Sequence, residues 1–437
     1  MKKSRSVAIL VLTLMLVFPL AIQIGLNHTT TGMERVKTFT ESYVHHDQIW
    51  IQSDEEFHIQ AAAESWEGEG TEEEPYIITG YLFDCETQPI RIWDTTVHWI
   101  VIDNVIDGVG SNIQCGTWIE NATNGAIINN EFLNRHSGMA ITGYAELTIT
   151  GNYIHDCRGT GIEVLGILNQ SVVENNVIEN VGGAGIFSGM SKDTIVKDNT
   201  VTDCGSIGIG LAGYAANCIV TGNVITDCGE SGIMVSYGDC AIISDNTIRF
   251  VEDEGIYLST PQYSIVSENT IGDVIGHGIR INNGESGMIN DNVVENCTED
   301  GLHLDLYNAS VQWNSIRNVS GYAVNLLSDS SLVTLKYNTF IDNGVNCQVC
   351  DDGTSNAISE NYYDDWNSPD ADANGYVDEP YELDGTAGNQ DDFPLAVAGV
   401  IPTTTPDESP VLIDPLIIVG AIGVVIVVIT LGLVRRR

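Results

Sequence analysis

Two positions of a repeated sequence phrase hold the side chains best suited to chemistry. In successive repeats, one position presents an aromatic ring, a guanidinium and an imidazole: Tyr257, Arg280 and His303. A neighbouring position presents two acids and an imidazole: Glu254, His277 and Asp300. Tyrosine offers a sugar an apolar face, arginine a fork for carboxylate or hydroxyl groups, and histidine a group that titrates near neutrality. We expect a ligand-binding patch for an acidic or neutral sugar, in which Asp305 orients His303. A mixed, solvated face is the alternative.

A second group of oxygen ligands lies near the carboxy terminus, in the sequence DADANGYVD. Gly375 supplies the turn, and the alternating ligand positions of a calcium loop are filled by Asp370, Asp372, Asn374 and Asp378. Alternating oxygens of this kind converge on one hard cation, so the segment predicts a Ca²⁺ site. Tyr381 stands where an EF-hand has a bidentate glutamate, and flanking helices are missing. An acidic turn without an ion is therefore the alternative.

The candidate residues belong to a repeat that runs through most of the chain. An asparagine that opens an N-x-apolar step recurs every 22 to 24 residues, at Asn130, Asn152, Asn176, Asn199, Asn223, Asn246, Asn269, Asn292, Asn314, Asn338 and Asn361. A glycine followed by an apolar residue keeps the same phase, at Gly138, Gly161, Gly185, Gly208, Gly232, Gly255, Gly278 and Gly301. Two markers in phase over this length indicate a solenoid.

Apolar and polar residues alternate within each repeat, as in NVITDC and GIMV. A period of two predicts strands, and the frequent Gly, Asn and Asp disfavour helices. We therefore predict an all-β fold, a single-stranded right-handed parallel β-helix of about 11 to 12 rungs, each of about 22 to 24 residues. It is expected to span residues 104–361, with an amino-terminal cap and first rungs at 30–103 and a carboxy-terminal cap at 362–396. An antiparallel sandwich would need hairpin turns and would not hold this phase.

Stacked rungs explain both markers. Asparagine tolerates a left-handed corner, and stacked amides can form a hydrogen-bonded ladder. Glycine suits a corner where a Cβ would crowd its neighbours.

The cysteines are interpreted within the same frame. One repeat position alternates between cysteine and valine, at Cys157, Val181, Cys204, Cys228, Val251, Val274, Cys297 and Val319. That alternation predicts a small buried hydrophobe rather than a disulfide framework, although Cys204 and Cys228 fall on adjacent rungs. Cys347 and Cys350 form a lone C-x-x-C, for which a local bridge or two packed thiols is expected.

Both ends of the chain carry membrane signals. Residues 1–29 combine a basic start with the apolar run Val7 to Leu26, which predicts a signal peptide or signal anchor. A linker at 397–414 leads to the charge-free segment 415–434, which is long enough to cross a bilayer. The basic tail 435–437 is then cytoplasmic. We expect a cell-membrane protein with an extracellular body, single-pass if the signal is cleaved and two-pass otherwise.

The composition fits an external body. The chain has 60 acidic and 17 basic residues, a formal net charge of -43, so nucleic acid is an unlikely partner. Glycosylation sequons occur at Asn121, Asn169, Asn296, Asn308 and Asn318.

The segment Asn361 to Ala396 resembles the carboxy-terminal closure of NosD-type and pectin lyase-like, carbohydrate-binding β-helix proteins. It reads N-Y-Y-D-D, an acidic glycine loop, P-Y, and then D-D-F-P-L. GEGTEEEPYIITGY, from Gly68 to Tyr81, is similar to the strand that caps such helices. The resemblance covers about residues 50–396 and implies the fold. Relatives include archaeal surface proteins, epimerases, lyases and a copper-delivery protein, so it does not select a reaction. Nine scattered histidines give no support for copper delivery.

We expect a membrane-anchored extracellular protein that binds or adheres to glycans at the cell surface. A carbohydrate-active enzyme, whether lyase, epimerase or glycoside hydrolase, is one alternative. A structural envelope spacer without chemistry is the other.

Overall fold

Short strands in the chain bury alternate side chains and turn the others outward. In the strand Val224–Cys228, Ile225 and Cys228 are buried while Val224 is exposed. Because one face is apolar, each strand must lie against an interior, and repeated bends between strands wrap that interior completely. The computed structural model describes residues 43–108, 114–344 and 347–402, which wind into a right-handed parallel solenoid.

Each turn of the solenoid contributes one strand to each of three parallel sheets, in the order A, B and C. Sheet A has 14 strands: Val44–His45, Tyr81–Phe83, Val105–Asp107, Glu131–Leu133, Tyr153–Cys157, Val177–Val181, Thr200–Cys204, Val224–Cys228, Thr247–Val251, Thr270–Val274, Val293–Cys297, Ser315–Arg317, Thr339–Ile341 and Tyr362–Tyr363.

Sheet B carries the predicted patch. Its stacked strands are Ile49–Ile51, Ile90–Thr95, Thr117–Ala122, Met139–Thr142, Ile162–Asn169, Ile186–Lys192, Ile209–Leu211, Ile233–Ser236, Ile256–Ser259, Ile279–Glu285, Leu302–Tyr307, Val324–Leu326 and Val349–Asp351. A short strand, Tyr144–Ala145, also pairs with Ile162–Asn169.

Sheet C closes the third side. Its strands are Tyr76–Thr79, Trp99–Ile102, Gly125–Ile128, Leu147–Thr150, Val172–Glu174, Ile195–Lys197, Ile219–Thr221, Ile242–Ser244, Ile265–Ser267, Met288–Asn290, Ser310–Gln312, Thr334–Lys336 and Ala357–Ser359. A separate antiparallel pair, Tyr381–Glu382 with Gln390–Asp391, lies in the carboxy-terminal segment.

One helix, α1 (Asp54–Glu64), interrupts the first turn and was not predicted. Ser53 caps it, since its side chain accepts a hydrogen bond from the Glu56 amide. Phe57 and Ala61 are its buried residues. The sequence S-D-E-E-F carried the signal, a capping serine followed by acids in the first turn.

The interior confirms the reading of the cysteine–valine position. Strand register places Cys157, Val181, Cys204, Cys228, Val251, Val274 and Cys297 opposite one another, and all are buried. The ten cysteines are unbridged, and the Sγ atoms of Cys204 and Cys228 lie 2.7 Å apart. Cysteine therefore serves here as a small core hydrophobe.

The predicted asparagine ladder is present and fully buried. Asn199 donates from Nδ2 to the Asn223 Oδ1 at 3.0 Å and to the Val173 carbonyl at 2.9 Å. The same pattern runs from Asn104 to Asn361, where Asp391 receives the last amide at 3.2 Å. These bonds tie each turn to the next.

One part of the asparagine prediction was wrong. The left-handed backbone lies at the residue before several ladder positions, for example Asn175 at φ 55° and Asp198 at φ 54°, and the ladder residue itself does not adopt it. The side-chain amide of a ladder asparagine must point in a fixed direction to make its hydrogen bonds. The left-handed corner is therefore formed by the residue before it.

The glycine marker is confirmed on steric grounds. A Cβ at Gly208 would come within 2.4 Å of the Ile225 Cγ2 and 2.6 Å of the Gly232 carbonyl oxygen. No side chain fits so close to the next turn, so the position requires glycine.

No helix among the described residues is long and apolar enough to cross a membrane. The predicted signal at 1–29, the span at 415–434 and the tail at 435–437 lie outside the described residues.

Replacing one ladder residue should destabilise the whole rod. Asn199→Ala removes the partners of the buried Val173 carbonyl and the Asn176 amide. We expect a loss of about 2 to 6 kcal/mol, because each buried polar group left unsatisfied costs about 1 to 3 kcal/mol. Asn180→Gly is the control, since Asn180 is exposed and its φ of 51° suits glycine. Equal melting temperatures for the two variants would contradict the role of the ladder.

Candidate functional site

The predicted column of sheet B is present. Tyr257 lies opposite Arg280, and Arg280 lies opposite His303, on three consecutive strands. Neighbouring strands are about 4.8 Å apart, so the three side chains leave the rod side by side. All three are half-buried. The strands that carry them are fixed by interior Ile and Leu residues on either side.

The second predicted column lies directly beside the first. The Gly255 amide donates to the His277 carbonyl at 3.0 Å, and the Gly278 amide to the Asp300 carbonyl at 3.1 Å. This register stacks Glu254, His277 and Asp300, which are 6%, 8% and 8% exposed. Buried ionisable groups of this kind require partners, and those partners build the site.

Asp300 is the centre of the cluster. Its Oδ2 accepts hydrogen bonds from the His303 Nδ1 at 2.8 Å and the Asn325 Nδ2 at 2.9 Å, and its Oδ1 accepts from the Tyr322 amide at 2.9 Å. Burial acts to raise the pKa of Asp300, but these three hydrogen bonds outweigh it and hold the pKa below 3.8. An ionised carboxylate only accepts hydrogen bonds, so the His303 Nδ1 carries the proton.

His277 is held in the opposite tautomer. The Asp300 amide donates to the His277 Nδ1 at 3.1 Å, so the proton lies on Nε2, which faces the Glu299 carboxylate at 2.9 Å. The rings of His277 and His303 stack with their centroids 4.1 Å apart. Burial and the charge of His303 hold the pKa of His277 below its ordinary value of 6.5.

Arg280 is already paired within the patch. Its guanidinium lies 2.9 Å from the Glu254 Oε1, and the Ser231 hydroxyl donates to the other Glu254 oxygen at 3.2 Å. The Arg280 Cζ is 5.7 Å from the Tyr257 ring centroid. Asn282 links the two, accepting from the Arg280 Nε at 3.3 Å and donating to the Tyr257 hydroxyl at 3.2 Å. Tyr257, Asn282, Arg280 and Glu254 therefore form one connected polar group, which lies beside a second group centred on Asp300.

Asp305 does not have the predicted partner. Its Oδ2 accepts from the Asn283 amide at 3.0 Å, whereas Asp300 holds His303. The register of sheet B shifts between Ile281 and Gly284, which places Asp305 against the bulge. A spacing argument that assumes a regular strand cannot anticipate such a bulge.

Sequence reasoning did not assign roles to Asn282, Asn325 and Glu299. Asn282 lies two residues after Arg280, so the period of two placed it on the outward face. Asn325 is the next position of the outward column after His303. Glu299 lies in a corner between strands and has no pattern that could have identified it.

The acidic loop brings three of its four predicted ligand residues together, and the fourth, Asn374, accepts the Tyr376 amide at its Oδ1. Carboxylate oxygens of Asp370, Asp372 and Asp378 lie within 4.8 Å of one another. The same oxygens accept backbone amides, as in Asn374 N to Asp370 Oδ1 at 3.0 Å. Tyr381 is buried and donates its hydroxyl to Asp365, so it supplies no ligand. The loop fits a hard cation and also holds itself as an acidic turn.

Two family models match the chain. A model described as the right-handed beta helix region matches residues 90–248, and one described as periplasmic copper-binding protein (NosD) matches residues 212–389. A comparison with curated proteins gave no match.

Solved structures with similar folds include two epimerase modules and a tailspike protein. The A-module of a mannuronan C-5 epimerase from Azotobacter vinelandii has a TM-score of 0.50 at 14% identity, covering 69% of this chain and 93% of that one. A second epimerase A-module from the same organism has a TM-score of 0.49 at 18% identity, covering 65% and 82%. The Dettilon tailspike protein has a TM-score of 0.43 at 16% identity, covering 65% and 59%.

At these identities the structural likeness shows the fold alone. The repeat, the three parallel sheets and the matched family models agree on one architecture. The chain therefore has the right-handed parallel β-helix fold, and its residues 212–389 match the NosD model.

Proposed function

We propose that the outward face of sheet B around Tyr257, Arg280 and His303 binds a glycan. In this proposal the body lies outside the cell, where the predicted segment 415–434 tethers it to the membrane. The function is then surface binding or adhesion. The single observation that carries the proposal is the alignment of an aromatic ring, a guanidinium and an imidazole on three consecutive paired strands, each held by a hydrogen-bonded neighbour.

The network suits a sugar for physical reasons. A sugar ring presents apolar C–H faces and a rim of hydroxyl groups, which require an aromatic surface beside fixed donors and acceptors. Tyr257 offers the surface, while Asn282 and Arg280 offer polar groups within hydrogen-bonding distance of each other. Because these groups sit on paired strands, little side-chain entropy is lost on binding.

A carbohydrate-active enzyme is the second candidate, and the geometry of His303 favours it. Asp300 fixes the proton on Nδ1, and no described residue hydrogen-bonds the Nε2 of His303. A neutral His303 therefore presents an acceptor at Nε2 on the column that also holds Arg280 and Tyr257. A histidine held by a buried carboxylate is a common general base, and this one lies at the proposed sugar surface.

Copper does not fit the histidine cluster. Copper sites use converging His, Met or Cys ligands. His277, Asp300 and His303 form one of two groups of potential ligands in the described chain, the acidic loop being the other. The Nδ1 atoms of both rings are already hydrogen-bonded, that of His277 to the Asp300 amide and that of His303 to the Asp300 carboxylate. We derive no step through copper.

Conservative arginine variants test the proposal. Arg280→Lys keeps a charge beside Glu254 but loses the planar fork, and should weaken retention on polysaccharides about tenfold. Arg249→Lys is the matched control, because Arg249 lies on sheet A and pairs with Asp273 and Glu295, each at 2.9 Å. Affinity electrophoresis on neutral and uronate polysaccharides measures retention. Full truncation of Arg280 is avoided, since it would leave Glu254 buried and unpaired.

The same panel separates the alternatives. Retention without turnover supports binding, whereas new reducing ends, unsaturated products or epimerised sugar residues identify an enzyme whose turnover His303→Gln should abolish. Neither retention nor turnover would contradict the proposal and leave a structural spacer.

Two histidines should have pKa values on opposite sides of the ordinary histidine pKa of 6.5. His277 should titrate below pH 6.5, whereas His155, whose bonds to Glu131 and Asp156 outweigh its burial, should titrate above it. The stability from His277 is therefore present above pH 6.5 and lost as pH falls. That from His155 is present below pH 6.5 and lost as pH rises through its folded pKa. NMR of the imidazole protons measures both, and the reverse order would contradict the described environments.

We also propose that Ca²⁺ occupies the acidic loop. An ion that binds only the folded chain increases the free energy of unfolding, by about 2.7 kcal/mol at a hundredfold excess over Kd. The melting temperature should therefore rise. Asp370→Ala with Asp372→Ala should remove the response, whereas Glu72→Ala with Glu73→Ala, an exposed acidic pair elsewhere, should retain it. A wild-type melting temperature indifferent to Ca²⁺ and chelator would leave only the acidic turn.

A further inference from the structure

We infer that sheet B carries a second carbohydrate-binding platform on its first turns, and that this platform and the patch around Tyr257 hold two parts of one linear, neutral polysaccharide. The inference rests on the proposed glycan-binding function. The tryptophan platform consists of Trp50, Arg91, Trp93, Trp118 and Glu120.

Strand register builds the tryptophan platform. Trp50 lies opposite Arg91, and Arg91 lies opposite Trp118, on three consecutive strands of sheet B. The Arg91 Cζ is 4.1 Å from the Trp93 ring centroid and 5.7 Å from that of Trp118. The rings of Trp50 and Trp93 lie 6.4 Å apart at 69°. Three indoles and one guanidinium therefore form a connected surface.

The tryptophan platform combines an apolar surface with a polar rim. Trp50 is 48% exposed, and Trp93 and Trp118 are half-buried. Glu120 accepts from the Trp118 Nε1 at 3.2 Å and lies 3.8 Å from the Arg91 guanidinium. Exposed apolar patches rimmed by polar groups mark interaction sites, and this rim has both donors and acceptors for hydroxyl groups.

A continuous column joins the tryptophan platform to the patch. Between Trp118 and Tyr257 the paired outward positions are Ala140, Glu163, Phe187, Gly210 and Met234. Ala140 and Gly210 are buried at the base of this column, whereas Glu163, Phe187 and Met234 are half-buried, and Glu163 accepts from the Ser137 hydroxyl. Six strand spacings separate the ends, roughly 30 Å. A linear chain that lies along the column can therefore touch both ends.

The charges favour a neutral chain over an anionic one. Arg280 is neutralised by Glu254, and Arg91 is accompanied by Glu120. Neither end of the column therefore offers an uncompensated arginine to a uronate. The whole chain has a formal net charge of -43, which repels a polyanion. Hydroxyl groups and apolar sugar faces remain as the groups to be recognised.

Oligosaccharide length provides the test. We would titrate gluco-, manno- and galacto-oligosaccharides, from disaccharides to chains longer than the roughly 30 Å column, into the full-length chain by calorimetry. Affinity should rise at least about tenfold once a chain reaches both ends, because the second contact becomes intramolecular. Trp93→Ala with Trp118→Ala should abolish that gain. Trp50→Ala, at an exposed position, should reduce the gain without affecting folding.

Trp313→Ala is the matched control, since Trp313 is 40% exposed at a corner between sheets C and A. It should retain the full dependence on length. Equal affinity for short and long chains, tryptophan platform variants that behave as Trp313→Ala, or tighter binding of alginate or polygalacturonate would each overturn the inference.

The same titrations distinguish failure of the two proposals. Loss of binding in the tryptophan variants but not in Arg280→Lys would refute the patch around Tyr257 and leave the tryptophan platform. No binding of any neutral chain would overturn the inference, and no binding of a uronate chain either would overturn the proposed function as well.

Discussion

The register of the rod depends on the buried ladder of asparagine amides. Each amide bonds the next asparagine and a backbone carbonyl of the preceding turn, as Asn199 does with Asn223 and Val173. A one-residue slip would bury polar groups and expose the core. Because the ladder prevents that slip, side chains a full turn apart in sequence become neighbours in space. Every outward column, including the one that holds His303, inherits its alignment from the ladder.

In the candidate site, buried side chains also fix the orientation of the aligned outward residues. Asp300 fixes His303, and its amide fixes the tautomer of His277, so one residue directs two imidazoles. Glu254 similarly fixes Arg280. The buried acids do not contact a ligand in this account; they position half-buried groups that would. Such positioning by neighbouring side chains is what turns a repeated surface into a local site.

The fold could be predicted because its markers repeat. The Asn, Gly and Cys–Val positions all recur with the same stacking, and only the left-handed corner expected at the asparagine lies elsewhere, at the residue before it. The helix α1 was missed because it occurs once. The columns of the site followed from the same period, but the partner of His303 did not. Because of the bulge between Ile281 and Gly284, Asp305 accepts a hydrogen bond from the Asn283 amide and does not contact His303. Corner residues such as Glu299 follow no sequence period.

Hydroxyl-radical footprinting of the full-length chain with a neutral long-chain polysaccharide tests the central claim most directly, because it reads side chains rather than backbone amides. Bound glycan should protect the exposed ring of Trp50 together with Tyr257 and His303 on the face of sheet B. Trp313, at a different corner, should be oxidised equally with and without glycan. Protection confined to Trp313, or binding with no protection on sheet B, would contradict the account.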